Sequence, residues 1–338
     1  MLTLEIMKPF ASLRFGWIAI ALAAACGGTP NEDPEASEIV LQPDARAGGV
    51  SPVLGGCAMF PADNPWNQPI DELPVHPSSE AFIASIGADG FLHADFGVEQ
   101  EGGPQGIPYS LVSAAQPAVN IEFTAYGYQS DPGPYPIPPS AKIEGGPNSA
   151  GDRHVLVLET THCVLYELYR AFPVVGGASW QADSGAVFDL KTNAERPLGW
   201  TSADAAGLPI LPGLVRYDEV VEKKRIAHAL RFTVERSQAG FIAPARHYAS
   251  DDPDPRLPPM GLRLRLKGDH DCSPLSSEAQ VICDALKRYG MLVADNGTSW
   301  YISGAPDPRW DEAALADLER IPASALEVVD TGPVTRLK

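Results

Sequence analysis

The chain is short of positive charge. It has 25 Lys and Arg against 43 Asp and Glu, a net charge of −18. Such a surface repels nucleic acid and anionic lipid, so neither is expected as a partner. It also weighs against a strongly anionic polysaccharide, unless a local basic cleft overrules the net charge. Long apolar runs are missing too. The leading one, Phe15 to Ala25, has about 11 residues where a bilayer span needs about 20. Several catalytic signatures are absent. There is no HExxH, no GxSxG elbow, no Walker sequence, no GxGxxG after a strand, and no CxxC or Cys/His zinc spacing. These absences leave no motif for a cofactor or a resident metal, and none is expected. Cysteine is sparse, at five residues.

What is present begins with an address. Lys8 and Arg14 precede the apolar run, which ends in Leu22-Ala-Ala-Ala-Cys26. A basic start, a short apolar core and small residues before a cut are the layout of a secretory signal. A cysteine directly after the small residues resembles a bacterial lipobox. That resemblance implies that Cys26 is lipidated and becomes the first mature residue, anchoring the protein at the cell envelope. The competing readings are a signal cleaved without lipidation and an uncleaved anchor. Residues 1–25 are thus read as signal peptide. Residues 26–55, polar, acidic and rich in Gly and Pro, are read as a flexible tether. Residues 56–338 are expected to form a single globular domain. Cys57, Cys163, Cys272 and Cys283 remain, an even number in an oxidising compartment. Of three pairings we favour Cys57–Cys163, stapling the domain start to a strand, and Cys272–Cys283, closing a short loop onto a helix.

The body is rich in Pro (33) and Gly (31), with 44% hydrophobic residues. Interior proline breaks helices, so this composition favours a β-rich fold with many turns. Strands are expected at Val119–Thr124, His154–Glu159, Cys163–Tyr169, Ala186–Leu190, Ala227–Val234 and Gly261–Lys267. Helices are expected at Ser78–Ile86, Ser276–Tyr289 and Asp311–Arg320. Met291–Ala294 and Trp300–Ile302 read as a hairpin around Asp295-Asn-Gly297. The expected fold is mainly β, an antiparallel β-sandwich-like domain with a few peripheral helices.

The stretch Trp180–Glu219 is richest in chemistry. Small residues around Asp204 let backbone approach closely, and Trp200 offers a flat platform. Aromatic faces beside carboxylates suit sugars, and glycoside hydrolysis needs two carboxyl groups flanking the bond. Asp183, Asp204 and Asp218 are the candidates. The competing reading has these aspartates bonding to loop backbone. A basic group follows: His228 and Arg231, then Arg246, His247 and Tyr248. On a strand, 228 and 231 face opposite sides, so both line one site only if the strand bulges. Asp183, Asp204, His228 and His247 are the expected catalytic set. Trp200, Arg231, Arg246, Tyr248 and Asp218 are the expected substrate contacts. His154, His228 and His247 with Glu167 also suggest a metal-dependent enzyme, and a His/Tyr/Arg group suggests a polysaccharide lyase. Each histidine can equally be a satisfied structural one. Tyr126, Tyr128, Tyr135, Trp300, Tyr301 and Trp310 form either a saccharide platform or core.

Several motifs resemble a largely uncharacterised family of secreted bacterial proteins. They are FPADNPWN (60–67), SDPGPYPIP (130–138), GDRHVLVLE (151–159), GWTSADAAGLPILPGLVRYDEV (199–220), LPPMGLRLRLK (257–267) and ADNGTSWYISGAPDPRW (294–310). The match runs from Cys57 to Asp330. Some members are joined to carbohydrate-binding modules, which implies polysaccharide-rich surroundings and assigns no catalytic residue. The expectation is a lipid-anchored hydrolase acting on a polysaccharide or glycan surface. The rivals are a non-catalytic glycan-binding or surface-structural lipoprotein, and the metal-dependent enzyme or lyase.

Overall fold

The computed structural model describes residues 51–100 and 103–337. The signal, the lipidation at Cys26 and the tether up to residue 50 lie outside them. The chain opens with a small ribbon, β1 (Val53–Leu54) with β2 (Cys57–Ala58), then α1 (Ser79–Ile86) and β3 (His93–Asp95). A second ribbon, β4 (Glu99–Gln100) with β5 (Gly103–Pro104), precedes β6 (Tyr109–Val112) and β7 (Asn120–Phe123). The next stretch is mostly strand: β8 (Val155–Glu159), β9 (Val164–Tyr169), β10 (Phe172–Val174), β11 (Ser179–Ala182) and β12 (Ser184–Asp189). After a long segment of turns come β13 (Leu230–Val234), β14 (Arg263–Leu266), α2 (Ser277–Arg288), β15 (Met291–Asn296), β16 (Tyr301–Ser303), α3 (Glu312–Ala316) and β17 (Leu326–Val328).

Three sheets are stacked. The largest has the order β17-β14-β15-β13-β16-β3, the middle one β12-β9-β8-β6, and the outer one β10-β11-β7. The middle sheet separates two cores. Leu156, Leu158, Leu165 and Ala186 face the large core, with Phe232, Leu292 and Trp300 of the six-stranded side. Val155, Val157 and Leu168 face a smaller core with Tyr135 and Trp180. Alternate residues thus serve different layers, and β8 is buried on both faces. That is why its sequence reads as an unbroken apolar run rather than an alternation. The fold is mainly β and sandwich-like, with few helices. Its hairpins are antiparallel, and β6·β8, β7·β11, β13·β15 and β3·β16 pair in parallel.

The expected hairpin of β15 and β16 does not form. β13 lies between them, parallel to β15 and antiparallel to β16. The six-stranded sheet buries β13 as a central strand, and this tertiary gain outweighs a local turn.

The helices follow their sequence signals. In α2 the Ser276 hydroxyl accepts the Ala279 N–H at 3.3 Å, and Ala279, Ile282, Cys283 and Leu286 are buried on one face. Gly290 follows at φ +65, where a Cβ would lie 2.0 Å from the Leu264 carbonyl oxygen, so only glycine fits. Ser78 forms no cap on α1; instead the neighbouring Ser79 hydroxyl accepts the Val328 N–H at 2.8 Å. Both favoured disulfides, Cys57–Cys163 and Cys272–Cys283, are present, as suits a chain folding in an oxidising compartment. No helix among the described residues is long and apolar enough to cross a membrane.

Candidate functional site

The six-residue turn from Ser202 to Gly207 is the hub of the inter-sheet space. Its small side chains let its backbone reach four different elements. The Ala203 carbonyl accepts from His154 Nε2 at 3.0 Å, and the Ala205 carbonyl accepts from His247 Nδ1 at 2.8 Å. The Ala206 N–H donates to the Ala294 carbonyl at 3.0 Å, and the Ala206 carbonyl accepts the His247 N–H at 3.2 Å. Asp204 turns inward, 1% exposed, and takes Nη2 of Arg231 at 3.1 Å and Nε at 3.3 Å. Gly207 closes the turn at φ +70; a Cβ there would lie 2.6 Å from the Trp200 carbonyl oxygen.

The six-stranded sheet supplies one wall. Register places Arg231 across from Ser303, since Phe232 pairs with Ile302, and Ser303 across from Asp95. Arg231 Nη1 accordingly donates to Ser303 Oγ at 2.6 Å. A β-bulge then changes the face of β15. Arg231 pairs with Leu292, but Thr233 pairs with Asp295, because Ala294 is inserted between the paired positions. Without the extra residue, Asp295 would point to the opposite face. With it, Asp295 shares a face with Thr233, Arg231, Ser303 and Asp95. The Ala294 carbonyl, released from the ladder, is the one that Ala206 satisfies.

The middle sheet and a neighbouring loop supply the other wall. Glu167 and Tyr169 share the parity of Leu165, which faces the large core, and His154 stands just before β8. His154 Nδ1 bonds to Glu144 at 2.7 Å and Nε2 to the Ala203 carbonyl. Both partners are acceptors, so the ring carries both protons. Burial pulls its pKa down, yet the Glu144 carboxylate overcomes this and holds it at about 9. Glu167, fully buried, accepts the N–H groups of Ile210 and Leu211 at 2.9–3.0 Å.

Burial raises Asp204, Asp295, Glu167 and Asp95 alike, and the neighbouring charges then separate them; Arg231 pulls Asp204 back down. The site holds two buried cations, Arg231 and His154+, and each is matched by one carboxylate, Asp204 and Glu144. The remaining acids have no cation of their own. Burial, reinforced by the Asp204 charge, pushes Asp295 up to about 7. Burial pushes Glu167 to about 7 as well. Asp95 is raised by burial and then by Glu144. Asp95 is nonetheless an exposed residue, so its burial is partial. Asp295 is half-buried, while Glu167 is sealed. Tyr169, half-buried between Asp152 and Asp295, is pushed to about 12, first by burial.

The expected catalytic four do not converge. Asp204 and His247 share the hub. Asp183 stands at the rim, held by Arg170 at 2.9 Å and Thr124 at 2.7 Å, with its N–H on the Tyr169 carbonyl. His228 is sealed elsewhere, between Glu219 at 3.1 Å and the Ala229 carbonyl at 2.8 Å. It lies outside β13, so strand parity does not govern it. Asp218 belongs to that second network, bound to Lys223 at 2.7 Å and Arg216 at 3.3 Å.

The expected substrate contacts are largely structural. Arg231 is saturated by Asp204 and Ser303. Arg246 clamps a loop through Glu195 at 2.7 Å and the Arg196 carbonyl at 3.1 Å. Trp200 is half-buried, with the Arg196 guanidinium 5.8 Å from its ring. Tyr248 stacks between His247 and Phe241, at 6.1 and 6.3 Å. Trp300, Trp310 and Tyr135 are core; Tyr126 and Tyr128 are exposed. His154, His228 and His247 have three separate partner sets. Among the described residues no three His, Cys, Asp or Glu side chains are placed to hold a metal ion.

Sequence reasoning missed Asp95, Glu144 and Asp295. Asp295 read as a turn residue, and nothing in the sequence marks the bulge that aims it.

No protein-family model matches the chain, and no curated protein or solved structure matches it either.

Proposed function

We propose that this protein is an extracytoplasmic, carbohydrate-active hydrolase, anchored by lipid on Cys26 and acting on a polysaccharide or glycan surface. The observation that carries the reading is the bulge at Ala294. It puts a carboxyl held at about 7 on the same sheet face as the exposed Asp95. A glycosidase needs one carboxylic acid that is protonated near neutral pH and a second carboxyl group across the bond. Asp295 takes the first role, giving its proton to the leaving oxygen. Asp95, on the same sheet face with β13 and β16 between, takes the second as the base that activates a water; two intervening strands are too wide for a nucleophile. Asp204, Arg231, His154 and Glu144 are positioning residues: they fix the hub, and the Asp204 charge adds to burial in keeping Asp295 protonated.

The test is a polysaccharide-panel digest, read by reducing ends and by the absorbance of unsaturated uronates. Reducing ends that vanish in Asp295→Asn and Asp95→Asn, with folding intact, support the hydrolase. Unsaturated products would move the reading to a lyase.

A second reading, a glycan-binding lipoprotein, has one observation in its favour. Tyr126 and Tyr128 are exposed, and the Tyr126 N–H holds the Asp183 carbonyl at 2.7 Å. Glycan retention without products, lost in Tyr126→Ala/Tyr128→Ala, would decide for it.

A further inference from the structure

A second site lies where the turn after residues 218–222 meets the end of α2. Lys224, Arg225, Ile226, Val281, Asp284, Ala285, Arg288 and Tyr289 enclose a pocket of about 260 Å3. Three of these are cations, on a chain whose net charge is −18. Elsewhere most cations are spoken for. Lys223, one residue away, is tied to Asp218, and Arg309 to Asp307 and Glu222. Lys224, Arg225 and Arg288 make no ion pair among the described residues. Arg288 has only the Tyr289 ring, 5.7 Å away. Asp284 is the one carboxylate of the lining, so the pocket carries a local surplus of two positive charges.

Helix electrostatics explain part of this surplus and not the rest. Arg288 ends α2, where a cation complements the negative end of the helix dipole. Lys224 and Arg225 come from a different segment and add two cations beyond the one the helix itself supplies. The backbone is also strained towards this arrangement. A five-residue π-helical turn, Asp218–Glu222, leads in, and Lys224 sits at φ +50, a left-handed conformation that is unfavourable for lysine. All three cations are exposed, so their donors are open to an anion that enters the pocket.

We propose that this pocket binds a tetrahedral oxyanion, the phosphate or sulfate group of an ester. Its volume suits one such group with part of the moiety that bears it, and it is too small for a folded partner. Arg and Lys donors supply charge-assisted hydrogen bonds to the oxygens, and Tyr289 braces the Arg288 guanidinium. The pocket is the local basic cleft that lets an acidic protein accept an anionic ligand. It stands whether or not the acidic cleft hydrolyses glycans.

The test titrates the whole protein with inorganic phosphate and with sulfate at constant ionic strength, read by calorimetry and by the shift in unfolding temperature. Wild type is expected to bind and to be stabilised. The variant Lys224→Ser/Arg225→Ser/Arg288→Ser, changed only at exposed side chains, is expected to bind about a hundredfold more weakly or not at all. A control, Lys191→Ser, is expected to match wild type. Equal responses from wild type and the triple variant, or none from either, would overturn the site. Vesicles of phosphatidylglycerol and phosphatidylcholine distinguish the source. Co-sedimentation lost in the triple variant makes the group a lipid phosphate; phosphate binding without it makes the group a soluble or glycan-borne ester.

Discussion

Arg231 shows how one residue organises the acidic cleft. Its fork binds Asp204 through two nitrogens and Ser303 through the third, all buried. Arg231→Met would leave Asp204 buried without its counter-charge, a loss of about 3–5 kcal/mol in urea unfolding. Arg231→Met/Asp204→Leu should recover much of that, because the unpaired charge goes too. Additive losses in this double-mutant cycle would show that the pair does not act as a unit. Titration at single residues sets the expected pH dependence. Asp295 must be protonated to donate, so kcat/KM should fall as pH rises through about 7. Asp95, as base, must be ionised, so activity should also fall on the acid side. A profile rising steadily above pH 8 would rule out Asp295 as the acid.

At the scale of elements, the turn 202–207 and the bulge in β15 form one device. The bulge releases the Ala294 carbonyl, the turn takes it up through Ala206, and Asp204 and Asp295 are brought into each other's field. Gly207 makes the turn possible. Gly207→Ala would force a side chain into a left-handed backbone and against the Trp200 carbonyl. We expect a loss of about 1–3 kcal/mol in denaturant stability and a larger proportional loss of activity than of fold. Wild-type activity and stability in that variant would show that the turn does not position the cleft. The same scale explains the failed hairpin. Asp295-Asn-Gly297 is a good local turn, but β13 gains more by sitting between β15 and β16 than they gain by pairing.

At the scale of the whole molecule, two disulfides and a buried charge network set stability. Cys57–Cys163 closes a separation of 106 residues and Cys272–Cys283 one of 11. Loop-closure entropy gives about 4.7 kcal/mol for a 100-residue loop and about 3 for a 15-residue one. Cys57→Ala/Cys163→Ala should therefore lower the unfolding temperature more than Cys272→Ala/Cys283→Ala, and the reverse order would contradict this account. The pH dependence has a definite sign. Asp295 and Glu167 sit at about 7, above their ordinary values of 3.8 and 4.5, so the folded state holds protons that the unfolded chain lacks. Their stabilisation is complete below those ordinary values and is lost as pH rises through about 7. His154, raised from 6.5 to about 9, extends the loss to about pH 9. Glu144, lowered chiefly by its pairing with His154 against the cost of burial, acts oppositely, and its contribution is lost as pH falls. Thermal unfolding should thus show stability declining from about pH 4 to 9, and His154→Gln should flatten the part of that slope above about pH 6.5. An unchanged slope in the variant would place the titration elsewhere.

The sequence by itself determined what depends on local pattern and composition. Proline and glycine content excluded a helical fold, alternation located β7, β9 and β14, and Ser276 and Gly290 bounded α2. Four cysteines, each beside a recognisable element, were paired correctly. Asp204 stood out through the small neighbours that let backbone approach, and His247 through the basic run Arg246-His247-Tyr248. The tertiary structure alone decided which side chains meet. His228 and Arg231 are three residues apart and belong to separate networks. Asp95 and Arg231 are far apart in sequence and share one sheet face. The physical reason is that strand order and a one-residue bulge set facing and neighbourhood. Both are fixed by burial summed over a whole sheet, which no short stretch of sequence records.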